Sequence, residues 1–265
     1  MPETNINGVT LHYIDQGQGL PLVLIHGFPF DGHMWDAQVA AISSQCRVIV
    51  PDVPGFGGSR TDRPYTIKSL ADDLHTFLAQ INALPCVFGG LSMGGYVSFA
   101  FVTRYPTDLK GLVLVDTKCE ADSSEAKQNR MKTIETARTL GLKPIADQMI
   151  PKLLAPDTLK NKPDVVRKLR TMIEASSLQG IEYASLAMRD RRDYGSELPS
   201  IPVPTLILVG DADVLSPPPI ATAMCAQIPR AEVVLIRGGG HMSPMEQPDQ
   251  VNAALREFLD HLARP

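Results

Sequence analysis

Ser92 lies in Gly90-Leu91-Ser92-Met93-Gly94, directly after the apolar run Cys86-Val87-Phe88 and before residues 96–102, which have the character of a buried helix. A serine hydroxyl is a weak nucleophile at neutral pH. It becomes useful where strained backbone lifts it towards a base and where fixed donors await a developing oxyanion. A strand, a sharp turn and a helix around G-x-S-x-G supply that setting, and the flanking glycines give the turn room. Without such flanks the same five residues describe an ordinary strand-to-helix turn.

A nucleophilic serine needs a base, an acid that holds the base in one tautomer, and donors for the oxyanion. His241 stands in Gly238-Gly239-Gly240-His241-Met242, just after the last apolar run, on a loop above the end of a strand. The other histidines fit less well. His12 falls on an alternating strand, His75 and His261 on helix faces, and His33 near Trp35, while His26 reads as a loop residue bonded to backbone. For the acid, Asp213 in Gly210-Asp211-Ala212-Asp213 gives the chain order serine, acid, histidine found at strand-end sites of this geometry. Asp211 competes, although it can equally brace the turn through backbone amides. Asp116 ends a neighbouring strand and is a third candidate. The Met93 amide opens a helix, where unpaired N–H groups and the dipole favour negative charge. The Phe28 amide, in His26-Gly27-Phe28-Pro29, is the expected second donor.

These residues must be held by an alternating framework. Apolar runs at 22–25, 48–50, 112–115, 206–209 and 233–236 do not alternate with polar residues, as expected for strands buried on both faces of a parallel sheet. Residues 9–14 do alternate, which predicts an antiparallel strand at the sheet edge. Leu70, Leu74, Phe77, Leu78 and Ile81 share one helical face, as do Val251, Leu255, Phe258 and Leu262 after Pro248. Alternating strands and helices define an α/β sandwich. From about residue 117 to 200 the strand runs stop. Asp122 with Glu125 reads there as a capping box for a helix closed by Gly141, and Pro163 as the first turn of another. Residues 198–204 read as a stiff, extended proline-rich strip. The expected division is a core of residues 1–117 and 201–265 and a helical insertion of residues 118–200.

At 265 residues the chain can bury one large core. A net charge of −4 without long single-sign runs argues against a nucleic-acid partner. Cys46, Cys86, Cys119 and Cys225 are widely spaced and form no C-x-x-C pair. They predict neither a zinc site nor a disulfide framework. No His/Cys/Asp cluster suggests a metal, no glycine-rich stretch has nucleotide-binding spacing, and the expectation is a chain without a cofactor. Residues 1–7 lack the pattern of a signal peptide and no run reaches membrane-spanning length, so the reading is a cytoplasmic protein with no membrane partner.

His26-Gly27-Phe28-Pro29, Asp52-Val53-Pro54-Gly55-Phe56-Gly57-Gly58-Ser59, Gly90-Leu91-Ser92-Met93-Gly94-Gly95, Gly210-Asp211-Ala212-Asp213 and Gly240-His241 occur in that order. Together they resemble the α/β-hydrolase family over nearly the whole chain. The resemblance implies a mostly parallel eight-stranded sheet flanked by helices, with a helical cap inserted after the sixth strand. It also implies that Ser92, Asp213 and His241 are catalytic and that Phe28 and Met93 form the oxyanion hole. Dehalogenases and epoxide hydrolases of this fold carry aspartate where this chain has Ser92. The chain is similar to the branch containing carboxylesterases and 3-oxoadipate enol-lactonases. The expected activity is therefore cleavage of small to medium esters or lactones through an acyl-enzyme. The expected pocket is lined by Phe28, Met93, Val214, Leu215 and Met242 from the core and by Met172, Leu186 and Met188 from the insertion. A dicarboxylate-like lactone would want a cation, for which Arg130, Arg138, Arg189, Arg191 and Arg192 are available, although their spacing also fits solvated helix faces. Other readings of the same residues are a slow-turnover small-molecule receptor, a carbon–carbon bond hydrolase and a perhydrolase.

Overall fold

The apolar runs become strands because Val, Ile and Leu at consecutive positions fill both faces of a pleated surface at once. A computed structural model describes residues 2–263. The strands are β1 (Glu3–Ile6), β2 (Val9–Gln16), β3 (Pro21–Ile25), β4 (Arg47–Pro51), β5 (Cys86–Leu91), β6 (Leu109–Val115), β7 (Thr205–Gly210) and β8 (Ala231–Ile236). The helices are α1 (Asp36–Ile42), α2 (Ile67–Gln80), α3 (Met93–Arg104), α4 (Ser124–Leu140), α5 (Lys143–Leu153), α6 (Pro156–Asn161), α7 (Pro163–Ala175), α8 (Leu178–Arg189), α9 (Pro218–Cys225), α10 (Ser243–Glu246) and α11 (Pro248–Ala263).

The eight strands of the described residues lie in one sheet, in the order β1-β2-β4-β3-β5-β6-β7-β8. β1 with β2 and β2 with β4 are antiparallel, and every other pairing is parallel. From β3 the chain steps outward to β4 and then returns to β5 on the other side. The reversal opens a crevice beyond the carboxyl ends of β3 and β5, where open α/β sheets receive ligands. α3 is buried around its whole circumference from Met93 to Val102 and packs on β3, β5 and β6. α2 packs on α3, and α1 on α11. Between β6 and β7 the chain forms α4 to α8 without a strand. No helix among the described residues is long and apolar enough to cross a membrane.

Four local readings are corrected. β2 is not at the edge: the short polar strand β1 covers it, although Thr10, His12 and Ile14 keep partial exposure while Val9, Leu11 and Tyr13 are buried. β8 is the opposite edge, with Glu232, Val233 and Leu235 exposed rather than buried on both faces. Ser123, not Asp122, caps α4 by accepting from the Ala126 amide. Residues 195–200 coil into a 3₁₀ turn, so only the end of the proline-rich strip lacks regular structure.

Phe88 of β5 stacks on Phe101 of α3 with ring centroids 4.1 Å apart, which joins the strand before Ser92 to the helix after it. Phe88→Ala is expected to cost about 3–5 kcal/mol of unfolding free energy, measured by urea denaturation.

Candidate active site

Ser92 sits at φ 54° and ψ −107°, between the last residue of β5 and the first of α3. Such a conformation is costly for a non-glycine residue and persists only where the surroundings fix it. They do so here by close approach of backbone. A Cβ at Gly90 would come within 2.6 Å of the Gly94 carbonyl carbon, so the strand can meet the helix only without one. The Ser92 amide donates to the Val115 carbonyl at 3.0 Å, and the Thr117 hydroxyl donates to the Ser92 carbonyl at 2.8 Å. The Ser92 hydroxyl takes no part in capping α3. Met93 follows at the start of α3, where first-turn amides have no intrahelical partner. Phe28 follows β3 on the opposite lip of the crevice.

On the far side of β6, His241 Nδ1 and Asp213 Oδ2 are 2.9 Å apart, and both residues are buried. The second Asp213 oxygen accepts from the amides of Leu215 (2.8 Å) and Ser216 (3.2 Å). The Ser216 hydroxyl donates to Asp213 Oδ2 at 2.6 Å and lies 3.3 Å from His241 Nδ1. Burial alone would raise the Asp213 pKa, but the His241 bond and charge, with the Ser216 and Leu215 donors, outweigh it and hold the carboxyl at about 2. Burial likewise opposes a charged imidazole at 241. The bond and charge of Asp213, with the charges of Asp116 and Glu246, overcome it and raise the pKa. With Nδ1 committed to Asp213, Nε2 is the ring nitrogen left for a reacting group. No hydrogen bond joins it to Ser92 Oγ among the described residues.

The two other acids have different partners. Asp211 accepts from the Gly238 amide at 2.8 Å and braces the turn. Asp116 accepts from the Gly210 amide (2.8 Å) with one oxygen, and from the Ser243 amide (3.2 Å) and hydroxyl (2.5 Å) with the other. The end of β6 is thus tied to the loops that carry Asp213 and His241. Burial, reinforced by the Asp213 charge, pushes the Asp116 carboxyl up to about 8. His26 is fully buried; its Nδ1 lies 2.9 Å from the Gly27 carbonyl and its Nε2 accepts from the Val53 amide at 2.8 Å. Both ring nitrogens are spent on loop backbone, and burial lowers its pKa.

A hollow of about 360 Å³ opens between α4, α5 and the strand-end loops, with Phe28 and Leu215 on the core side and Arg130, Lys132, Lys152 and Leu153 among the residues of the insertion. Leu215 is 41% exposed and Val214 67% exposed, while Met93, Met188 and Met242 are fully buried and Leu186 half-buried. Met172 lines a separate hollow with Asp31 and His33. A larger hollow of about 610 Å³ lies between α2, α3 and residues 190–194, away from the strand-end loops.

Asp122 is buried and pairs with both Arg130 (3.0 Å) and Arg191, and the Arg191 guanidinium lies 3.9 Å over the Tyr96 ring in the first turn of α3. One carboxylate thus serves two guanidiniums at the floor of the insertion. The reading of Arg191 as a solvated helix face is corrected: its side chain is 1% exposed. Arg138, Arg189 and Arg192 pair at the surface with Glu182, Asp190 and Glu197. Ser216, Glu246 and Tyr96 were not singled out from the sequence. Only Ser216 had a local signal, a hydroxyl three residues after an aspartate in a turn. Among the described residues no group of three or more His, Cys, Asp or Glu stands close enough together to hold a metal ion.

A profile of the alpha/beta hydrolase family matches residues 22–254. The chain belongs to that family. Its fold superposes on a thermophilic esterase from Thermogutta terrifontis, solved with malate bound, with a TM-score of 0.97 and 41% identity over 100% of both chains. It is also similar to the enol-lactonase of Burkholderia xenovorans (TM-score 0.91, 28% identity, 98% of this chain and 100% of that one). A putative non-heme chloroperoxidase of Synechocystis is 28% identical over 97% of both chains.

Chemistry that needs the neutral imidazole of His241 will fade on the acid side at a pH above the usual imidazole value of 6.5, because the native surroundings favour its protonated form. Titration of His241 followed by NMR checks this. The pKa is expected above 6.5 in the native chain and below it in Asp213→Asn, where burial acts without its main opponent.

Proposed function

We propose that the chain is a serine hydrolase of carboxylic esters or lactones, with Ser92 as nucleophile, His241 as general base and acid, and Asp213 as orienting carboxylate. The observation that carries this reading is the buried His241–Asp213 hydrogen bond on the same sheet rim as a strained, uncapped Ser92. In the first step His241 Nε2 takes the Ser92 proton as Oγ attacks the acyl carbon, and it then protonates the departing alcohol. Water deprotonated by the same imidazole releases the acid from the acyl-enzyme. The Phe28 and Met93 amides receive the oxyanion, each worth about 2.7 to 4 kcal/mol in the transition state. Residues 118–200 act as a cap over this site. The similarity to an esterase and an enol-lactonase supports the same class.

The cations at the mouth favour a narrower second reading, in which the ester or lactone carries a carboxylate away from the scissile bond. Arg130 shares Asp122 with Arg191 and keeps partial exposure, and Lys132 and Lys152 flank it. The Thermogutta terrifontis esterase was solved with malate, a dicarboxylate, bound.

Ser92→Ala should lower turnover of a short-chain chromogenic ester by at least about a thousandfold with the fold intact by circular dichroism. Undiminished turnover by the pure variant would remove the proposal. For the narrower reading, a half-ester of a dicarboxylic acid is compared with its uncharged counterpart. Arg130→Leu should reduce kcat/KM about 10- to 100-fold for the half-ester alone, the worth of one hydrogen bond to a charged group.

A further inference from the structure

Glu246 closes α10, five residues after His241, and is fully buried although it carries a carboxyl group. One of its oxygens accepts from the amides of Gly240 (2.8 Å) and Met242 (3.2 Å), the residues on either side of His241. The other accepts from the Ala155 amide at 2.7 Å, between α5 and α6 of the insertion. Lys162, just after α6, donates its ammonium to the Glu246 main-chain carbonyl. The two segments also touch directly: a Cβ at Gly240 would come within 2.5 Å of the Ala155 nitrogen. On the other flank Asp116 holds Ser243, so the histidine loop is gripped from both sides. The grips differ in what they join. Asp116 ties the loop to the sheet, whereas Glu246 ties it to the insertion.

We propose that Glu246 is a positioning residue for the His241 imidazole, coupling the seating of residues 153–162 of the cap to the alignment of the base. The inference rests on the reading of His241 as that base. Three converging N–H donors call for an acceptor with two oxygens and no proton, which a carboxylate supplies and a carboxamide does not. The Glu246 side chain thus bonds to the cap at Ala155 and to both neighbours of His241, so a shift of α5 reaches the histidine loop by way of Ala155. The charged and titratable groups acting on His241 are Asp213, Asp116 and Glu246, all negative when ionised. Removing the charge at 246 leaves the imidazolium less favoured, so the neutral base survives to lower pH.

The test is the pH dependence of kcat and KM for a short-chain ester in the full chain, comparing the native protein, Glu246→Gln and Lys162→Met. Glu246→Gln should lower kcat about 10- to 100-fold with KM changed less than about threefold, and the acid limb of kcat/KM should move to lower pH. Lys162→Met, which loosens the cap side and keeps the carboxylate, should lower kcat several-fold without moving that limb. Native kcat in Glu246→Gln, or a lowered kcat with the acid limb unmoved, would overturn the proposal. Should Glu246→Gln fail to fold, Lys162→Met decides: lowered kcat at unchanged KM supports the coupling and native turnover refutes it. Activity surviving in Ser92→Ala would instead sink the underlying serine-hydrolase reading, which no result at position 246 can do.

Discussion

Everything at the candidate site depends on the parallel register of four neighbouring strands. Leu91 pairs with Val115, Val115 with Leu208, and Gly210 with Ile236, so β5 and β6 end together and β7 and β8 end together two residues further on. Residues 92, 116, 213 and 241 are far apart in the chain, yet each follows one of these ends. A slip of one residue in any pairing would turn every side chain of that strand to the opposite face and carry its loop out of line. The fully buried Val, Ile and Leu residues of β5, β6 and β7 make such slips costly. The sheet is thus rigid where the loops above it must be placed.

Those loops are tied together by buried carboxylates. Asp213, Asp116 and Glu246 are all buried, and each accepts backbone amides from a loop at the rim. A buried carboxyl group is costly unless its oxygens are satisfied, which makes such bonds stringent: a loop displaced enough to lose them leaves the carboxyl unpaired. The electrostatic outcome differs among the three. Asp213, with the imidazole and Ser216 against it, is held at about 2, whereas burial pushes Asp116 up to about 8. Burial also raises Glu246, opposed by its Ala155, Gly240 and Met242 amide donors, so of the three Asp213 is held lowest beside His241. Partners separate the three aspartates that the sequence leaves as competitors: Asp213 meets His241, Asp211 braces a turn, and Asp116 ties β6 to the neighbouring loops.

The architecture was legible in the amino-acid sequence where many residues cooperate. The apolar runs, the break after residue 117 and the turn at Ser92 each show in local pattern, because burial on both faces and a strained strand-to-helix turn restrict composition strongly. What escaped was decided by single contacts across the fold. β1 is short and polar, with nothing apolar to mark it, so β2 passed for an edge. β8 is apolar enough to resemble a central strand, and it stands at the edge because no further strand pairs with it among the described residues. Asp122 has the spacing of a capping residue but is drawn inward by Arg130 and Arg191, the latter from the far end of the insertion. Glu246 carries no local signal, since its three amide partners come together only once the insertion meets the histidine loop. The pocket lining suffers most, because a methionine reads alike in core and cavity, and Met172 faces a different hollow.

The central claim is that one hydroxyl, at Ser92, is made nucleophilic by the imidazole at 241. Covalent labelling of the full chain with a fluorophosphonate, followed by peptide mass spectrometry, tests it most directly. The account predicts a single adduct on Ser92 at one equivalent per chain, lost in His241→Ala. Labelling at another residue, or equally fast labelling of Ser92 without the histidine, would contradict it.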